Sequence, residues 1–432
     1  MSNTPGADGF RPYLTLIRQN KHYRWLWLSQ LVSNFGDWFG LLALYALIQR
    51  YSDSEFLLGL IIVVKMLSLA LFSPIAGYLT DRYNRRRIMI FCDLSRGMIV
   101  LGLLLIRTED WLWLAYMLTA VQMMISALFE PAKTSSIPNV TTPEELVRAN
   151  ILSAASWSII FTTGMAIGGF ATGIFGTDVV FILNSISYVI SGWFIWKAVI
   201  PQQTESLSAS ASDTMKKPWS GMKEGFRFLL SEKQVLRPAI AKGVYTLGSG
   251  ALVYMLILVA ENVLMMGSIG LGLLYASRGI GTGLGPVIGR RLFRNEESWI
   301  MVMGLAMIVA GFFYFLVGFT TQIAWMLVFV LVAHAASGAN WVMSTVLLQR
   351  RVPDTYRGRV FSSEWLLFTL TQSLSVMAAA LVLDRGWLNL TTAIRFYGLL
   401  MVVLGSIWLL LIVPWEVRDQ ANSKAKPMAD LS

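Results

Sequence analysis

Asp37 stands inside an apolar run, between Gly36 and Trp38 and three residues after Asn34. A carboxylate in such a place has few uses. It can bind and release a proton, contact a polar solute, or hydrogen-bond to a neighbouring helix. Lys65, in the next apolar run, is a candidate counter-ion for it. Asp93 and Arg96 lie three apart in the run after that, on one helical face, where they can neutralise each other. Isolated ionisable groups recur later in Arg278, His334 and Glu364. Arg278 suits either an anionic or catecholate-like solute or a buried acidic partner. His334, near Asn340 and Trp341, is either a packed polar residue or a proton relay. Asp37, Lys65 and Glu364 are therefore the candidates for proton coupling. Asn34, Trp38, Arg278, His334, Asn340 and Trp341 are the candidates for lining a solute cavity.

Other chemistries are missing from the sequence. No Gly-x-x-x-x-Gly-Lys-Ser/Thr phosphate loop occurs, so the chain does not itself hydrolyse ATP. The two histidines are far apart, and Cys92 is the single cysteine. No metal cluster, no intrachain disulfide and no nucleophile with its base can be assembled from these residues. No enzyme activity, cofactor or metal is expected.

The elements that hold these groups are long and apolar. Of 432 residues 55% are hydrophobic and only 14% charged, about half the charged share of a soluble domain. Runs of about 20 apolar residues are long enough to span a bilayer. Twelve can be placed, at roughly 25–49, 56–79, 88–106, 111–130, 149–175, 179–199, 238–262, 268–289, 299–318, 321–348, 360–384 and 392–414. An all-α integral membrane protein follows, and no alternating segments of a barrel kind are seen. No cleavable signal segment is expected, because the stretch before Trp25 is polar and the first apolar run is a full span.

Arginines and lysines crowd alternate loops. Arg18, Lys21 and Arg24 precede the first span, Arg82 to Arg87 follow the second, and Arg350 to Arg359 follow the tenth. The opposite loops hold Arg50, Arg107 and Arg385. By the positive-inside rule both termini are cytoplasmic, and the net charge of +10 reports topology, not nucleic-acid binding.

Residues 200–222 are polar, Ser-rich and without periodicity, and they split the spans six and six. Trp219, Met222, Phe226, Leu229 and Leu230 then recur at helical spacing among Lys223, Glu224 and Arg227, which predicts an amphipathic interfacial helix. The expected domains are 1–199, a six-helix bundle; 200–235, a cytoplasmic linker; and 236–432, a second bundle with a tail.

The tightest connection is Gly77 to Arg87, which reads Gly-Tyr-Leu-Thr-Asp-Arg-Tyr-Asn-Arg-Arg-Arg. Six spans later Gly285-Pro286-Val287-Ile288-Gly289-Arg290-Arg291 occupies the equivalent place, with Gly289 where Asp81 stands in the first. The loops after spans four and ten also match: each has a proline (Pro143, Pro353) and an arginine (Arg148, Arg357) entering the next helix. A parallel internal repeat is the expectation.

With twelve spans, a six–six split and this turn, the chain resembles the major facilitator superfamily. The hallmark turn there is Gly-x-x-x-Asp-Arg-x-Gly-Arg-Arg/Lys, matched by Gly77, Asp81, Arg82, Arg85 and Arg86. Asn84 replaces the usual glycine, and asparagine tolerates positive φ better than most residues. Within the superfamily the chain is similar to the branch of enterobactin exporters and macrolide efflux proteins. The stretches that carry this are Asn34 to Trp38, Asp93 to Arg96, Glu224 to Leu229, Leu273 to Ala276, and Pro353 to Arg359.

The resemblance implies alternating access, export of an amphipathic small molecule, and a bacterial inner-membrane location as a monomer. It also implies a cytoplasmic gate of Gly77, Asp81, Arg82, Arg85 and Arg86, with Glu130 as second acid for Arg85. Glycines of spans five and eight, such as Gly168 and Gly285, fit a rocking interface in that family. Two rival readings stay open: a lysophospholipid flippase and a non-transporting scaffold or receptor.

Overall fold

The computed structural model describes residues 11–201, 218–352 and 354–429. All regular structure among them is helical. Before the linker come α1 (Arg11–Gln19), α2 (Lys21–Tyr51), α3 (Glu55–Arg82), α4 (Arg85–Gly102), α5 (Leu112–Val140) and α6 (Pro143–Lys197). After it come α7 (Pro218–Ser231), α8 (Lys233–Leu258), α9 (Gly267–Leu292), α10 (Trp299–Val317), α11 (Ile323–Arg351), α12 (Asp354–Asp384), α13 (Leu390–Ile407) and α14 (Val413–Ala429). A π-helical turn extends α8 through Val263, and another joins α13 to α14.

Ten of the described helices are long and apolar enough to cross a membrane. One of them runs Ala155–Lys197, and within it Gly176 sits at φ +79. Only glycine takes that left-handed angle without strain, so the helix stops there and restarts. The sequence ends one span at 175 and begins the next at 179, on either side of that break. α9 is not among the ten, because its glycines lower its apolarity.

The chain divides into two compact units, drawn from Met1–Asp53 with Val64–Pro218 and from Ser54–Val63 with Trp219–Ser432. In the first, α2 packs along α6, and α4 packs on α5 and α6. In the second, α9 packs on α11, α10 on α11 and α13, and α8 on α12. The amphipathic stretch after the linker is α7. Its Leu229 is buried with Val235, Ala239, Leu348, Val352 and Val360, while Leu230 is exposed.

The small-residue stripes make close helix contacts inside each unit. A methyl built on Gly168 would lie 2.8 Å from Phe39 Cα on α2, and on Gly164 it would lie 3.1 Å from Trp38 Cβ. A methyl on Gly281 or Gly285 would strike the backbone of Leu331 or Ala335 on α11. These glycines close helix pairs inside their own units. Without a hydrophobic drive between helices in lipid, such close backbone approach supplies much of the packing.

The turn between α3 and α4 corrects another expectation. Asn84 has φ −63, not a positive angle, and its side chain accepts from Arg87 N at 3.0 Å. It is an N-cap, a role in which asparagine is among the best residues, so no left-handed position is needed here. Arg86, on the first turn of α4, donates to the carbonyls of Ile195 at 3.3 Å and of Trp196, both near the end of α6. That adds a partner to the Ile195 carbonyl, which also accepts from Ala198 N, and supplies one to the Trp196 carbonyl at the helix end.

Candidate functional site

In the first unit, Gly36 and Gly40 allow α2 to lie against Asn184 and Ser187 of α6. The next residue, Tyr188, then reaches Asp37 and donates its hydroxyl hydrogen bond to Oδ1. Gln122 on α5 donates to that same hydroxyl at 3.0 Å. Arg96 on α4 places Nη1 3.9 Å from Asp37 Oδ2 and pairs directly with Asp93. Ser191 donates to the other oxygen of Asp93 at 2.7 Å. The guanidinium of Arg96 also lies 4.4 Å from the ring centre of Phe129 and 4.6 Å from that of Tyr188.

Two carboxylates thus share one guanidinium, and they differ in access. The side chains of Asp93 and Arg96 are 0% and 4% exposed, whereas that of Asp37 is 32% exposed. A guanidinium does not give up its proton in a protein, so any proton exchanged here goes to a carboxylate. The one within reach of solute or water is Asp37. Arg96 is its ion-pair partner within 4.0 Å among the described residues, while Lys65 acts on it through longer-range electrostatics. The sequence pairing of Asp37 with Lys65 therefore gives way to one with Arg96.

Trp38 packs edge-on against Phe161 at 4.7 Å and Trp157 at 6.0 Å, and Asn34, one turn earlier, is half-buried. Beside them a cavity of about 470 Å³ opens between α2 and α6, lined by Trp27, Leu31, Phe35, Ile159, Ile160 and Ser187 among others. Trp27 Nε1 donates to Ser156 Oγ at 3.0 Å, which bridges its two walls.

The second unit separates the later candidates into two places. His334 is buried, with Nε2 2.8 Å from the hydroxyl of Tyr314, and Arg278 lies 5.2 Å from the ring centre of Tyr275. Glu364, by contrast, pairs with Lys242 of α8 at 2.6 Å, both side chains at most 5% exposed. Lys242 also donates to Thr345 Oγ1 at 2.8 Å and sits 4.3 Å from the ring centre of Trp341. Trp341, Trp365 and Phe368 pack together around this pair. Asn340 is buried beside Trp341.

Of the expected gate, Gly77, Asp81 and Arg82 have side-chain surroundings that lie outside the described residues. Glu130, assigned to Arg85 by the sequence, has its carboxylate 2.7 Å from Lys133 and is more than half exposed. A second charged cluster went unread in the sequence. Arg237 bonds Glu416 and Asp419, and Arg351 bonds the other oxygen of Glu416 at 2.6 Å and the carbonyl of Gln234 at 2.7 Å. Glu416 is 1% exposed.

Tyr188, Gln122, Ser191 and Thr345 were also missed, being ordinary residues in apolar runs. Lys242 carries a weaker signal than Lys65, since a lysine one turn inside a span can reach the interface.

The sequence model described as Major Facilitator Superfamily matches residues 26–376. The transporter YfiS of Bacillus subtilis (strain 168) is 27% identical over 416 residues, covering 91% of this chain and 94% of its own. BacE of the same organism, named for bacilysin export, is 24% identical with the same coverage. Macrolide efflux protein A of Streptococcus pyogenes is 20% identical over 84% of this chain and 90% of its own. Among solved structures, the nucleoside transporter NupG superposes with a TM-score of 0.70 at 12% identity, over 90% of this chain and 99% of its own. A bacterial homologue of the lysosomal transporter Spinster gives 0.68 at 16% identity, over 92% and 96%.

Proposed function

The chain belongs to the Major Facilitator Superfamily, and on that premise we propose that it exports an amphipathic small molecule, drug- or siderophore-like, in exchange for protons. It is a multi-pass membrane transporter and not an enzyme. Export is supported by relatives named as exporters at low identity across most of this chain. A count of twelve spans is supported by the ten apolar helices, by the division of one of them at Gly176, and by the glycine-rich α9. In this reading the bundles are residues 1–199 and 236–432 joined by 200–235, and Gly77 to Arg87 form a cytoplasmic gate. The protein works by alternating access as a monomer in the bacterial inner membrane, with both termini cytoplasmic.

The observation that carries proton coupling is Asp37, a partly exposed carboxylate inside a membrane span beside a closed Asp93–Arg96 pair. Its neighbours hold either charge state: Arg96 and Tyr188 support the anion, and protonation leaves Arg96 still neutralised by Asp93. Glu364 is the counterpart in the second unit, already bound to Lys242.

Purified protein in liposomes, with a pH-sensitive dye and an imposed proton gradient, tests this. The panel holds a macrolide, a catecholate siderophore, a lipophilic cation and a lysophospholipid. Solute-dependent proton movement that disappears in Asp37→Asn supports the antiporter. Solute movement without protons, indifferent to Asp37→Asn, overturns it. A second reading, movement of a lysophospholipid between leaflets, draws on the apolar cavity between α2 and α6. It would show as lysophospholipid transfer with no response to the other panel members. A non-transporting scaffold is disfavoured, because it has no need of costly charges inside spans.

A further inference from the structure

The Lys242–Glu364 pair is a costly feature of the second unit, and proton coupling at Glu364 leaves Lys242 and its aromatic surroundings unexplained. Two opposite charges stand 2.6 Å apart inside helices that cross the membrane, on α8 and α12. A pair of this kind is seldom more stable than apolar residues of equal volume. Its surroundings are specific. Thr345 accepts from Lys242, the face of Trp341 lies 4.3 Å from the ammonium, and Trp365 and Phe368 complete an aromatic wall. Trp341 and Trp365 are 36% and 40% exposed, so this wall is partly exposed while the pair behind it is closed.

We propose that this pair is a binding subsite for zwitterionic solutes, those carrying a primary amine and a carboxylate. The inference deepens the transporter reading and rests on it. The site already displays the contacts that each end of such a solute needs. An ammonium sits between a carboxylate and the face of a tryptophan, as a cation prefers. A solute amine takes that place, on Glu364 and Trp341, and Lys242 turns with its three donors to the solute carboxylate. A zwitterion replaces both partners at once, and no charge is left buried alone. A solute with a single charge satisfies one partner and strands the other, which is strongly unfavourable in a buried pair. The subsite therefore selects by matched opposite charges, and its aromatic wall favours a ring or apolar side chain between them.

The test is equilibrium binding to the full chain in lipid nanodiscs, with the dipeptide alanyl-tyrosine, its N-acetyl derivative and its C-terminal amide as probes. Alanyl-tyrosine should bind, and blocking either end should weaken binding at least tenfold. Lys242→Met and Glu364→Gln should each lose binding. The exchange Lys242→Glu with Glu364→Lys keeps a neutral pair, and so guards against a result caused by misfolding; it should retain binding within a few-fold. Absence of alanyl-tyrosine binding by a folded protein overturns the proposal, as do equal affinities for all three probes. The proton-dye assay with a lipophilic cation, run on the wild-type chain, separates the two readings. Proton-coupled transport there, with no binding of alanyl-tyrosine, removes the subsite and leaves the exporter intact.

Discussion

The hydroxyl of Tyr188 donates to the carboxylate of Asp37, joining residues 151 apart in sequence. Gln122 donates to that hydroxyl in turn, so its oxygen serves as acceptor and donor at once. A hydrogen bond to a charged group contributes about 1.5–3 kcal/mol. Tyr188→Phe should therefore slow solute-coupled proton movement by roughly tenfold or more, whereas Asp37→Asn should abolish it. Initial rates of dye response in liposomes would measure both. Equal, wild-type rates in the two variants would sink the role given to this pair.

Arg96 is a shared cation, and its loss should be more damaging than the loss of either acid. Arg96→Met leaves Asp93 buried and unpaired, at a cost of about 3–5 kcal/mol. Adding Asp93→Asn should recover most of that, because no buried charge then remains beside it. Thermal unfolding in one detergent, compared across the two single variants and the double, decides the point. A double variant no more stable than Arg96→Met would mean that Arg96 acts by packing on Phe129 and Tyr188.

Glu416 is held by two arginines from different helices and fastens α14 to α8 and α11. Glu416→Ala removes the buried carboxylate that Arg237 and Arg351 share and should lower stability by about 3–5 kcal/mol. It should also speed tryptic cleavage at Arg418. Asp419 binds the same arginine but is 37% exposed. Asp419→Ala should cost no more than about 1 kcal/mol. Similar cleavage rates in the two variants would contradict this ranking.

Neighbouring glycines on α9 should differ sharply. A methyl at Gly285 meets the backbone of Ala335, so Gly285→Ala must push α9 from α11 and should cost about 1–3 kcal/mol. Gly283 is exposed, and Gly283→Ala should change stability by less than about 0.5 kcal/mol. Matched unfolding curves in detergent give the comparison.

The parts of this molecule legible in the sequence are those that break a pattern. Asp37, Asp93, Arg96 and Glu364 stand out because a charge inside an apolar run is rare whatever surrounds it. Their partners do not stand out. Tyr188 and Gln122 are unremarkable in a membrane helix, and only the packing of α6 on α2 reveals them. Lys242 stands out less, because it lies near the start of its apolar run, where a lysine can reach the interface. The glycine stripes announced close crossings correctly, but helical spacing identifies a face and not the neighbour it meets. Asn84 was read through its backbone angle when its side chain was the working part. The break at Gly176 was legible, since apolar runs of bilayer length needed a boundary there.

That break also bears on how the protein enters the membrane. Gly176 is the single non-helical residue within α6, and beside it Asp178 is bonded to Arg107, just past the end of α4. Almost no polar chain has to be carried across the bilayer between the two stretches. They can partition from the translocation channel as a ready-formed hairpin, and the turn offers neither an antibody nor a protease a segment to grip.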